Sequence, residues 1–151
     1  MNRNRNPVVA TAMVVSEDKP YAVRVDAGGH GLRADEPVDH GGGDTGPPPF
    51  GLLLSGLGAC TAITLRMYAE RKNLPLDGVE VQLTYTVKDR ATRWIDRVIT
   101  VGGPLDDKAR SKLAEIAEKT PVTKAVRAGT DIHTTWLAAS SCNGYFPPSV
   151  D

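Results

Sequence analysis

Residues 50–65 read FGLLLSGLGACTAITL, the most apolar stretch of the chain, with Pro47, Pro48 and Pro49 before it and Arg66 after it. Proline fits the first turn of a helix and not its interior, so a helix starts after these prolines. It ends near Lys72-Asn73, with Pro75 beyond. About 16 apolar residues at 1.5 Å each make roughly 24 Å, short of the roughly 30 Å core of a bilayer. Gly51, Ser55, Gly56, Gly58, Thr61 and Thr64 dilute the stretch further. The expectation is a buried core helix and no membrane partner. The helix is apolar on nearly every side until Arg66, so one sheet face cannot cover it, and a second subunit is the economical cover.

Outward from this helix the pattern switches from helical spacing to alternation. On the N-terminal side, Tyr21, Val23 and Val25 alternate with Ala22, Arg24 and Asp26, which predicts a strand. Val8 to Val15 supplies its hairpin partner across the polar turn Ser16 to Pro20. Arg3 and Arg5 before Val8 to Val15 imitate a signal peptide, but a β-branched strand behind a polar tail explains the same residues. Gly28-Gly29 breaks the second strand, His30 to Ala34 forms a short third, and Gly41 to Pro49 reads as loop. On the C-terminal side, Val79, Val81, Leu83, Tyr85 and Val87 alternate with polar residues in the clearest half-buried strand, and Trp94 to Val101 is its hairpin partner. Leu105, Ala109, Leu113, Ile116 and Ala117 recur at helical spacing, with Asp106 and Asp107 in the first turn where the helix dipole favours them. A short helix, Pro121 to Arg127, leads to a last strand at Asp131 to Leu137. Residues 1–6 and 140–151 read as loose tails of a single domain spanning 1–151. The class is α+β, with antiparallel sheet built from hairpins around a long buried helix.

Composition narrows the function. The 151 residues, 40% hydrophobic, suffice for one buried core. Eighteen basic residues balance eighteen acidic ones, so the electrostatic footprint of a nucleic-acid binder is missing. Two cysteines, Cys60 and Cys142, make neither a dense disulfide framework nor a four-thiolate zinc site, which points to the cytoplasm.

Few residues carry chemistry. If the helix breaks at Gly56 and Gly58 and restarts, Cys60 falls in a first turn, where free N–H groups stabilise a thiolate. Otherwise Cys60 packs as a small hydrophobe, as buried thiols commonly do. His30, His40 and His133 are scattered; His40 shares a loop with Asp35, Glu36, Asp39 and Asp44 without forming a recognised ligand cluster, so no metal is expected. Gly41-Gly42-Gly43 lacks the Gly-Lys-Ser/Thr ending of a phosphate cradle and reads as a flexible connection. No cofactor motif is present.

The segments ADEPVDHGGGDTGPPPFGLLLSGLGACTAITLRMYAERKNLPLDGVEV (34–81) and RVITVGGPLDDKARSKLAEIAEKTPVTKAV (97–126) closely resemble the OsmC/Ohr family, the osmotically inducible and organic hydroperoxide resistance proteins. The resemblance covers about residues 20–137. It implies an intertwined α+β homodimer with long helices buried centrally and thiol sites at the subunit interface, and a cytoplasmic two-cysteine peroxidase acting in oxidative stress defence. Cys60 matches the peroxide-attacking cysteine, which overturns the inert reading. The second family cysteine falls on Thr120, in Glu118-Lys119-Thr120-Pro121-Val122, so the resolving thiol is missing. Thr120 makes sense as an N-cap before Pro121, worth about 1 kcal/mol. The family's glutamate, which holds an arginine over the thiolate, falls on Phe50 or Gly51, while Arg24 or Arg33 supplies the cation.

The implied activity is reduction of an organic hydroperoxide by Cys60, with an external thiol as reductant. Phe50, Leu53, Leu54 and Leu57 form the substrate pocket, desolvating the carbon chain. The competing reading is a small-ligand-binding dimer that has lost peroxidase activity. Cys142 reaches Cys60 only if the C-terminal tail folds back.

Overall fold

A computed structural model of the chain describes residues 7–138; Cys142 and the expected tail beyond it lie outside the described residues. These residues fall into two units, 7–49 with 135–138, and Phe50–Thr134.

The first unit is a three-stranded antiparallel sheet in the order β1 (Ala12–Ser16), β2 (Val23–Ala27), β3 (His30–Ala34). Ala27 pairs with His30 across Gly28-Gly29, and both glycines have positive φ, 62° and 84°. The pair that seemed only to break a strand therefore builds a tight mirror-image turn, whose geometry matches strand twist. Asp26 Oδ1 accepts the Gly29 N–H at 3.1 Å. After β3 the chain winds around Asp35, 3% exposed, whose carboxylate accepts the N–H of Glu36, Gly43 and Thr45 and the Thr45 hydroxyl. These bonds, the Thr45 hydroxyl first, hold the Asp35 carboxyl below its ordinary range. A Cβ on Gly42 would lie 1.9 Å from the Glu36 carbonyl oxygen. The glycine run is thus a packed turn and not the flexible connection expected: its glycines let backbone press on backbone.

The second unit is built on α1 (Pro49–Arg71), β4 (Gly78–Val87), β5 (Arg93–Gly102), α2 (Asp107–Ala117) and α3 (Pro121–Ala128). β4 and β5 pair antiparallel, with Val79 opposite Val101, Leu83 opposite Arg97 and Tyr85 opposite Ile95, so these residues share one face. That face and α2 enclose the core: Leu65, Leu105, Ala109, Leu113 and Ala117, with Val79, Ile99 and Val101 against them. Asp106 caps α2, its carboxylate accepting the Ala109 N–H at 2.7 Å.

The structure decides three further points. First, α1 is one unbroken helix of 23 residues through Gly56 and Gly58, long and apolar enough, by length and composition, to cross a membrane. It ends at Arg71, beside the Lys72-Asn73 end read from the sequence; the 16-residue count covered only its apolar stretch up to Arg66. Second, α1 is not covered by its own chain, as its all-round apolar character leads one to expect: only Leu57, Thr61, Leu65 and Ala69, one i, i+4 stripe, are buried, while Ile63 and Met67 are 59% and 61% exposed. Third, no strand forms at 131–137; Ile132 and Trp136 lie exposed without a ladder partner.

Candidate functional site

Cys60 is the twelfth residue of α1, partly buried. Only the first four amides of a helix are free, so the uninterrupted helix takes away the helix-terminus activation that a break at Gly58 would have provided. Among the described residues Cys60 has no hydrogen-bond or ion-pair partner.

The expected arginines lie opposite each other on neighbouring strands, Arg24 on β2 and Arg33 on β3. Glu17 gathers both: its Oε1 is 3.0 Å from an Arg33 terminal nitrogen and 3.8 Å from Arg24 Nε. His40 Nδ1 stands 3.6 Å from Glu36 Oε2, an i, i+4 pair at a short 3₁₀ turn. Among the described residues no group of three or more His, Cys, Asp or Glu comes together to hold a metal.

The four pocket residues expected from sequence do not converge. Phe50, 54% exposed, stacks on Tyr85 with ring centroids 4.4 Å apart. Leu53 is exposed. Leu54 lines a small cavity of about 390 Å³ with Gly58, Ala62 and Leu83. Leu57, on the buried stripe, lines a larger one of about 610 Å³. Leu53 and Leu54, turned by about 100° from one another, cannot share a direction, and Leu53 stays exposed although it stands one turn before the buried Leu57. Cys60 lines neither cavity.

The larger cavity contains polar residues that sequence reading missed. Arg97, its side chain 11% exposed, donates to Thr61 Oγ1 at 3.1 Å, Thr123 Oγ1 at 2.9 Å and Glu118 Oε1 at 2.8 Å. Glu118 accepts from Arg127 through its other oxygen at 2.6 Å. The Arg127 hydrogen bond, then the Arg97 bond and charge, hold the Glu118 carboxyl below its usual range against a desolvation that raises it. Thr120, fully buried at the N-cap position of α3, makes no side-chain cap bond; its hydroxyl meets Thr123 Oγ1 at 2.7 Å. The cap expected at Thr120 is therefore a hydroxyl pair, because an arginine-bound hydroxyl lies within its reach. The sequence signal was Arg97 itself, a charge on the face that Leu83, Tyr85, Ile95 and Ile99 make apolar.

The comparisons agree with this architecture. A family model of OsmC-like proteins matches residues 41–135. An OsmC-like protein from Mycoplasma pneumoniae superimposes with a TM-score of 0.68 at 15% identity, covering 83% of this chain and 89% of that one. The organic hydroperoxide resistance protein OhrB of Bacillus subtilis superimposes with a TM-score of 0.56 at 22% identity, covering 82% and 94%. An organic hydroperoxide resistance protein OsmC from Legionella pneumophila gives 0.60 at 17% identity, covering 82% and 92%. No curated protein matches the chain. At these identities the structures speak for the α+β fold alone, but the family match spans more than half of the sequence, including α1 with Cys60 and the Thr120 turn: the chain belongs to the OsmC-like family.

Proposed function

We propose that the chain is a one-cysteine hydroperoxide reductase of the cytoplasm, working as one domain of a homodimer in oxidative stress defence. The observation that carries this is the pairing of a partly accessible Cys60 with a fully buried Thr120 in place of a resolving thiol. The Cys60 thiolate attacks the distal oxygen of an organic hydroperoxide; an S–O bond forms as the O–O bond breaks, and the alkoxide takes a proton and leaves as the alcohol. The resulting sulfenic acid condenses with an external thiol, releasing water, and a second thiol frees Cys60 from the mixed disulfide. In this reading Arg24 or Arg33, as the family resemblance implies, supplies the cation for the thiolate.

The test is mass spectrometry and turnover on the full chain. Reduced protein should consume about one equivalent of cumene hydroperoxide per chain, yield a sulfenic acid at Cys60, and turn over only when dithiothreitol is added; Cys60→Ser should abolish both. A Cys60 to Cys142 disulfide would overturn the one-cysteine scheme. An unreactive Cys60 would support the second reading, a ligand-binding dimer without peroxidase activity, which the lack of any activating partner on Cys60 within the described chain favours.

A further inference from the structure

The chain as a whole carries no net charge, but the cavity of about 610 Å³ does. Its lining holds three guanidinium groups, Arg93, Arg97 and Arg127, against one carboxylate, Glu118. Glu118 spends one oxygen on Arg97 and the other on Arg127. Arg93 has no hydrogen bond or ion pair among the described residues, although alternation along β5 puts it on the same face as Ile95 and Arg97. Asp96, the nearest carboxylate along the strand, belongs to the other face, where it accepts the Trp94 indole N–H at 2.8 Å. Two positive charges are therefore left over in a recess whose remaining walls include Leu57, Tyr85, Trp94 and Ile95. The volume lies within the 300–1,000 Å³ common to small-molecule sites.

We propose that this cavity binds a small amphipathic carboxylate, its head on Arg93 and Arg127 and its apolar body against Leu57, Tyr85 and Ile95. Guanidinium is the side chain that matches a carboxylate in plane, with two parallel N–H donors, and unpaired arginine beside an aromatic wall selects an anion with an apolar body over either feature alone. Arg97, locked by Thr61, Thr123 and Glu118, fixes the floor of the site. Cys60 is not among the lining residues, so the proposal goes beyond the peroxidase reading and does not depend on it.

Phenylbutyrate and its neutral counterpart phenylbutanol separate head from body. Binding is followed by calorimetry on the full chain and by Trp94 fluorescence in a Trp136→Phe background, which leaves Trp94 as the sole indole. The acid should bind about tenfold more tightly than the alcohol at low salt, an advantage of about 1.4 kcal/mol that shrinks as salt is raised. Arg93→Met, which breaks no hydrogen bond or ion pair among the described residues, and Arg127→Met should each reduce that preference while leaving phenylbutanol binding and the iodoacetamide alkylation rate of Cys60 unchanged. Equal binding of acid and alcohol, no binding of either, or a preference that survives the double substitution would overturn the proposal.

Discussion

At the residue scale the decisive group is Arg97. It is a charge set between Ile95 and Ile99 on the inner strand face, tolerated because three oxygens from α1, α3 and the turn before α3 surround it. Removing it by Arg97→Met leaves Glu118 with one partner and two hydroxyls without their cation. Hydrogen bonds to a charged group are worth about 1.5–3 kcal/mol each, and relaxation recovers part, so a loss of about 2–3 kcal/mol in urea unfolding is expected. Thr120→Val should cost only about 1 kcal/mol in the same assay, because Thr123 keeps Arg97 as a partner when its bond to Thr120 goes. Thr120→Cys fits the same buried space and asks a chemical question: a disulfide with Cys60 after peroxide treatment would show that the two positions come within bonding reach.

At the element scale, α2 depends on its cap. Asp106→Ala frees the Ala109 N–H and should cost about 1 kcal/mol, while Asp106→Asn should keep most of it. The helix ends add to the acid sensitivity that Asp35 brings. Lys112 and Lys119 hold Glu115 down to about 2, with the Lys112 hydrogen bond the largest contribution, and Arg127 and Arg97 lower Glu118. A carboxylate depressed in the folded state contributes stability that is fully present above its unfolded value, 4.5 for glutamate, and is lost as pH falls through the folded value. The urea midpoint should therefore stay flat from neutral pH to about 5 and then decline toward pH 2. Glu118→Gln should make that decline shallower, and an unchanged slope would show that the Arg97 network does not couple to folding.

At the scale of the whole molecule, α1 poses the question of what covers it. Ile63 and Met67 on α1, and Val98 on β5, are each more than half exposed in a single chain, and the segment at 131–137 has no strand partner. A second copy answers this, and sedimentation at micromolar concentration should give about twice 16.1 kDa; a folded monomer would remove the dimer from the proposed function. Sequence by itself determined the hairpins, the amphipathic α2 and the extent of α1 to within a few residues, because alternation and helical spacing are local consequences of which side chains must leave water. It also singled out Cys60 and Thr120 as the positions to test, through their places in a family pattern. Only the tertiary structure decided that α1 runs unbroken past Gly56 and Gly58, that the residues 41–43 turn is packed around Asp35, and that Phe50, Leu53, Leu54 and Leu57 diverge. It alone showed Arg97, Thr61, Thr123 and Glu118 as one network, because these residues lie as many as 62 positions apart, from Thr61 to Thr123, and hydrogen bonds between distant segments leave no periodic trace in the chain.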